Sequence, residues 1–206
     1  MNDIIVCKET KGGDGMKIDI TYPLTYEAMA AWWKRFGGEI ARFGHWGTHL
    51  DMMEGTFPLD YCERNGRIFD VRGIMDREID VHDIDFRQIQ ANDCVLFYTS
   101  MIENVPYGCD AYLYERPQFA RALIERLADC RVSLIGIDMA GLRRGREHAW
   151  ADQFLAHRGI YVVENLMNLN IVWQYAQERS FSVSTYPLNC VECTGLPCRV
   201  VVDMAD

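Results

Sequence analysis

His45-Trp46-Gly47-Thr48-His49-Leu50-Asp51 packs two imidazoles and a carboxylate into one short segment. On a helix His45 and His49 share a face, but Asp51 points about 200° away from His49 at ~100° per residue. On a strand positions 45, 47, 49 and 51 lie on one side, because side chains alternate with period two. Only the extended reading gathers the three groups, and Gly47 then leaves space between the imidazoles. Two neutral imidazoles and a carboxylate are a usual ligand set for a divalent ion that keeps open positions for water. The stretch therefore predicts a metal site on a strand, with His45, His49 and Asp51 as ligands. Only five histidines occur in the chain, so two of them in phase with Asp51 add support.

The 206 residues suffice for one domain, 1–206, with a substantial core. Hydrophobic residues at 49% and charged residues at 25% are ordinary globular composition. A net charge of -9 and a pI near 5.0 exclude a nucleic-acid partner, because phosphates reward clustered Lys and Arg. No apolar run approaches the ~18 residues that span a bilayer, so no membrane partner is expected. The start, MNDIIVCKETKGGDG, lacks the basic beginning and apolar centre of a signal peptide, and a cytoplasmic location is expected. Of eight cysteines, Cys190, Cys193 and Cys198 form C-x2-C-x4-C, but no nearby His or Cys completes a closed zinc site. Free thiols are the expectation.

Around the metal segment the pattern mixes helices and strands. Lys17–Thr21 alternates as a strand, and Thr25 opens an Ala-rich helix that Gly37-Gly38 closes. A strand over Ile68–Val71 follows the Asn65-Gly66 turn dipeptide, and Asp83–Gln90 suits a short helix. Cys94–Thr99, Val132–Ile137 and Ile160–Glu164 are apolar runs of buried-strand length. Pro117 begins an amphipathic helix to Cys130, and Glu147–His157 is another helix. Two further strands are FSVSTYPL and CRVVVDM. This order predicts an α/β fold with a mixed sheet or barrel-like core and flanking helices.

The quoted residues resemble the metal-dependent cyclase family that includes bacterial kynurenine formamidase and isatin hydrolase. His45, Gly47, Thr48, His49 and Asp51 match its H-x-G-T-H-x-D without gaps. Gly136-Ile137-Asp138, the segment from Gly159 to Glu164 and Leu166, and Pro187-Leu188 with Gly195, Pro197 and Arg199 match further motifs in order. The resemblance implies a swivelling β/β/α-type fold, a divalent metal (Zn2+ or Mn2+) held by His45, His49 and Asp51, and homo-oligomers such as dimers or tetramers. It implies a metal-dependent hydrolase, in which metal-activated water attacks an amide or lactam C–N bond of a small substrate. Glu164 matches a carboxylate that binds a second ion in two-metal members.

The departures lie just beyond Asp51. The formamidase-like pattern continues with Pro and a second-site His, where this chain has Met53 and Gly55. The other second-site His falls twelve residues before the glutamate, at Asp152, and His157 is out of register. Two imidazoles are thus missing, and one ion per chain is expected. Asp152, Glu54 and Glu164 could hold a harder second ion such as Mn2+ or Mg2+. Glu164 and then Asp152 are the candidates for general acid–base catalysis, although without the resemblance Glu164 reads rather as a surface salt-bridge residue. Asp138 either orients a ligand His or serves a turn. Trp32, Trp33, Phe43 and Trp46 either line an aryl pocket or fill the core. Alternative functions are a lyase or cyclase using the metal as Lewis acid on a hydroxy acid, and a non-catalytic metal or small-molecule binder.

Overall fold

The computed structural model describes residues 6–7, 16–37, 44–53, 55–190 and 193–205. Its strands are β1 (Val6–Cys7), β2 (Met16–Asp19), β3 (His49–Asp51), β4 (Glu63–Asp70), β5 (Cys94–Tyr98), β6 (Leu134–Ile137), β7 (Tyr161–Glu164), β8 (Phe181–Pro187) and β9 (Gly195–Met204). The helices are α1 (Tyr26–Phe36), α2 (Met101–Asn104), α3 (Asp110–Tyr114), α4 (Arg121–Asp129), α5 (Arg146–Ala156) and α6 (Leu169–Ala176). The sheet runs β9-β3-β7-β6-β5-β4-β8, and β8 pairs back onto β9 to close a barrel. On the other edge of β9, β2 and β1 extend the sheet. Strands β4 to β7 are parallel to one another, and the remaining pairings are antiparallel. The expected mixed, barrel-like sheet with flanking helices is the fold.

The unbroken apolar runs exist because the central strands feed two cores. Val95, Phe97, Ile135, Ile137 and Val162 pack outward with Leu123 and Leu127 of α4 and Leu155 of α5. Leu96, Leu134 and Val163 point the other way, into a cluster with Leu50, Val183, Leu196 and Val202 drawn from the rest of the barrel. A strand covered on both faces cannot show alternation. Each large apolar side chain buried this way contributes about 1.5–3 kcal/mol, more than the local preferences it overrides.

Such overrides explain where the structure departs from the sequence reading. Asn65-Gly66 is no turn: β4 runs through it, with the Phe181 ring 1.9 Å from where a Gly66 Cβ would lie. Asp83–Gln90 forms two separate 3-10 turns, Val81–Asp83 and Phe86–Gln88, each started by an aspartate side chain. The helix expected from Pro117 begins at Arg121, because Phe119 N–H bonds to Leu142 O and Ala120 N–H to Ile79 O. By contrast α1 keeps its expected ends: Thr25 accepts from Ala28 N–H, and Gly37 is left-handed at φ 60°. Cys190 and Cys193, expected as free thiols, are joined in a disulfide where the β8–β9 connection brings their Cα atoms 5.8 Å apart, whereas Cys198 is a buried free thiol.

Candidate metal centre

Strand β3 lies between β7 and β9, with His49 opposite Glu164 and Pro197 and Asp51 opposite Val162 and Gly195. Cross-strand partners share a face, so His49, Asp51 and Glu164 converge. All three are buried. His49 Nε2 stands 3.4 Å from Asp51 Oδ1 and 3.5 Å from Glu164 Oε2. The one-face strand reading holds for His49 and Asp51 only, because β3 starts at His49. His45 arrives from a turn and brings Nδ1 to 2.9 Å from Asp51 Oδ1. Gly47 serves that turn, with φ +60° and Leu24 packed 2.6 Å from where a Cβ would lie, rather than spacing the imidazoles.

Helix α5 supplies the other side of the cluster. His148 and Asp152 lie one turn apart, with His148 Nε2 at 3.1 Å from Asp152 Oδ2 and 3.3 Å from Glu164 Oε1. Sequence reasoning missed His148 and counted two absent imidazoles. One is restored from the preceding helical turn, since residues four apart share a helix face. That spacing to Asp152 was the available signal. His157 bonds instead to Gln153, outside the cluster. Glu54 and Phe43 lie outside the described residues.

Two glycines seat the imidazoles. A Cβ on Gly195 would meet His45 Cδ2 and Cγ at 2.9 Å and Nδ1 at 3.0 Å, and one on Gly141 would meet the His148 ring at 2.6–2.9 Å. Side-chain exposures of 26% for His45 and 34% for His148, against 1–4% for Asp51, Asp152 and Glu164, show which side is open to solvent.

Outside this cluster, hydrogen bonds fix the rings. Gly47 O accepts from His49 Nδ1 at 2.9 Å, which puts a proton on Nδ1 and turns Nε2 toward the carboxylates. His45 Nε2 is 2.9 Å from Thr194 Oγ1. Tyr107 Oη accepts from Gly47 N–H at 2.7 Å and stacks on Trp32, with centroids 5.3 Å apart. Trp33 is 60% exposed and Trp46 is half-buried, so only Trp32 of the four expected pocket aromatics joins this stack among the described residues. Asp138 orients no ligand histidine: its Oδ1 accepts from Thr99 N–H at 3.0 Å and Thr99 Oγ1 at 2.6 Å, tying β5 to β6. A cavity of about 760 Å3 begins at Met52 and Met53, directly after Asp51, and is lined by Phe57, Leu59, Leu188 and Leu196.

The donor chemistry fits a divalent cation. Buried polar atoms lacking a hydrogen-bond partner include His49 Nε2, both Asp51 carboxylate oxygens, Asp152 Oδ1 and Glu164 Oε1. An atom left wholly without a partner costs about 1–3 kcal/mol; the His45 and His148 rings offset part of this at Asp51 Oδ1 and Glu164 Oε1, and all of these atoms gather at one point. The ligand atoms of His45, His49 and Asp51 lie within 4.8 Å of one another, as do those of Asp51, His148 and Asp152, so Asp51 belongs to both sets. Protons balance the charge otherwise. Burial works against charge on His49, yet Asp51 and Glu164 raise it to about 9. Burial likewise opposes charge on His148, but Asp152 and Glu164 raise it to about 11. Burial and the Asp51 charge push Asp152 up to about 7. Asp51 is held well below the carboxylate range, because the His45 and His49 imidazoles outweigh burial.

A closed mixed barrel with helix-backed imidazoles and carboxylates defines a metal-site α/β protein. The chain belongs to the Cyclase family, whose sequence model matches residues 18–143. It is similar to kynurenine formamidase of Delftia acidovorans, 35% identical over 89 residues that make up 43% of this chain and 40% of that enzyme. The match thus spans less than half of that relative's length. Among solved structures, one described as a potential metal-dependent hydrolase with cyclase activity superposes with a TM-score of 0.70 at 24% identity, covering 93% of this chain and 99% of the other. Isatin hydrolase A from Labrenzia aggregata, bound to benzyl benzoate, gives 0.65 at 19% identity, covering 79% and 74%. No described helix is long and apolar enough to cross a membrane.

Proposed function

We propose that the chain is a single-domain metal-dependent hydrolase that cleaves an amide or lactam C–N bond of a small aryl substrate, with His45, His49 and Asp51 holding a catalytic Zn2+ or Mn2+. The observation that carries this reading is the convergence of buried ligand atoms without hydrogen-bond partners on one point beside the partly exposed His45 imidazole. A divalent ion there supplies an acidified water and a Lewis acid for the substrate carbonyl. The chain's own residues supply the proton traffic. Glu164 lies against both His49 and His148 and is the group to accept a proton and deliver it to the leaving nitrogen, with Asp152 as second candidate. The expectation of one ion rested on the imidazole count, which His148 changes. Asp51, His148 and Asp152 make a second donor set richer in carboxylate, suited to a harder ion. Filling it would take Asp152 out of proton transfer and leave Glu164.

The names of the formamidase and isatin hydrolase relatives support an aryl amide or lactam. The Trp32–Tyr107 stack beside Gly47 supports a flat substrate. A cytoplasmic homo-oligomer is part of this reading. The name of one structural neighbour, with cyclase activity, favours as second reading a lyase or cyclase acting on a hydroxy acid. The test is a panel of N-formyl aryl amines, isatin-type lactams, lactones and hydroxy acids, assayed with protein loaded with Zn2+ or Mn2+. Turnover of amides or lactams is expected. Turnover confined to hydroxy acids would establish the second reading, and no turnover with metal bound would leave a binding protein.

A further inference from the structure

Asn165 follows Glu164 at the end of β7, is 2% exposed, and adopts the left-handed region at φ 59°. Asn tolerates that region better than most residues. Its backbone N–H donates to Met139 O at 3.2 Å, and its carbonyl accepts from Thr48 Oγ1 at 2.8 Å. Its Nδ2 donates to Gly47 O at 2.8 Å, and its Oδ1 accepts from Tyr112 Oη at 2.6 Å. Gly47 O also accepts from His49 Nδ1, which lies 3.5 Å from Asn165 Nδ2.

These partners leave little freedom. A backbone carbonyl can only accept, so both groups facing Gly47 O must be donors. The Asn165 amide therefore turns its NH2 to Gly47 and its oxygen to Tyr112. Tyr112 is fully buried, and its hydroxyl holds that orientation. A flipped amide would set oxygen against oxygen at Gly47. Nδ1 of His49 by the same argument carries a proton.

We infer that Asn165 is a positioning residue for the centre. Through the Gly47 carbonyl it locks the His49 ring with Nε2 turned to Asp51 and Glu164, and through its left-handed backbone it aims the adjoining Glu164 carboxylate at the same point. The inference rests on the reading of His49 as a metal ligand. Partners of this kind are worth about 10–100-fold in metal affinity.

The test titrates the 206-residue wild type, His49→Ala, Asn165→Gly, Asn165→Asp, Tyr112→Phe and the Asn165→Gly/Tyr112→Phe double variant with Zn2+ against a chromophoric chelator. Nitrogen-15 histidine spectra of the Zn2+-loaded proteins read the ring. Asn165→Gly keeps the left-handed backbone and removes the amide; Asn165→Asp keeps the shape and removes the donor. Both are expected to weaken Zn2+ binding about 10–100-fold and to add a second His49 ring signature. Tyr112→Phe is expected to weaken it less and to add nothing in the Asn165→Gly background. Wild-type affinity with an unchanged ring signature in all three variants overturns the inference. So does a lower unfolding midpoint of the metal-free protein with affinity intact, the mark of a merely structural role. If the Asn165 variants fail to fold, Tyr112→Phe decides. Binding by His49→Ala equal to wild type would instead overturn the ligand reading beneath it.

Discussion

Gly195→Ala tests the centre with one methyl group. Gly195 has a backbone conformation open to any residue, so the substitution adds no backbone strain. The new Cβ would lie 2.9 Å from His45 Cδ2 and Cγ and 3.0 Å from Nδ1. Ordinary contact needs roughly 3.4 Å or more, so the ring must retreat by about 0.5 Å. Metal–ligand distances tolerate about 0.2 Å, and the same retreat opens the 2.9 Å approaches to Asp51 and Thr194. Overpacking of this kind costs about 1–3 kcal/mol. If the cost falls on the metal-bound arrangement, binding weakens about 5- to 150-fold at ~1.4 kcal/mol per decade. The assay is chelator competition for the first Zn2+ equivalent, with urea unfolding of the metal-free protein as control. A variant that binds Zn2+ within twofold of wild type would refute the placement of His45 in the first coordination set.

His148→Ala removes the only imidazole of the second donor set while leaving His45 and His49 in place. Elemental analysis after Mn2+ or mixed-metal loading should show one ion per chain fewer than wild type, and an unchanged count would remove His148 from the centre. Asp138→Asn tests the β5–β6 tie. Burial raises the Asp138 carboxyl from 3.8 to about 6 against the Thr99 hydrogen bonds, so the folded state holds its proton more tightly than the unfolded state. The wild type therefore loses stability as pH rises from about 4 through 6, by about 3 kcal/mol in all at 1.36 kcal/mol per unit. Asn cannot titrate. In metal-free protein the variant should gain that much on wild type between about pH 4 and pH 8, and parallel urea midpoints across that range would contradict the buried, partnerless Asp138 Oδ2.

Much of the scaffold was written in local chemistry. Thr25 and Gly37 marked both ends of α1, because a cap and a left-handed stop act within a turn. Cys94–Tyr98 and Leu134–Ile137 declared themselves as buried strands by having no polar face. Asn65-Gly66 misled, since a ring from distant Phe181 decides that backbone. The start of α4 was likewise settled by contacts from Ile79 and Leu142, whereas the disulfide between Cys190 and Cys193 forms within one short connection.

By itself, the sequence marked His45, His49 and Asp51 as groups that an extended path would gather, and they do meet, although only His49 and Asp51 do so on a strand face. It determined the mixed α/β layering, as strand and helix periods are local. Tertiary structure alone decided that His45 enters by a turn, that Glu164 sits across β3 from His49, and that His148 of α5 completes the cluster. These last placements depend on strand pairing and helix packing between segments roughly a hundred residues apart. Burial energy chooses among such pairings, and no spacing within a short stretch records that choice.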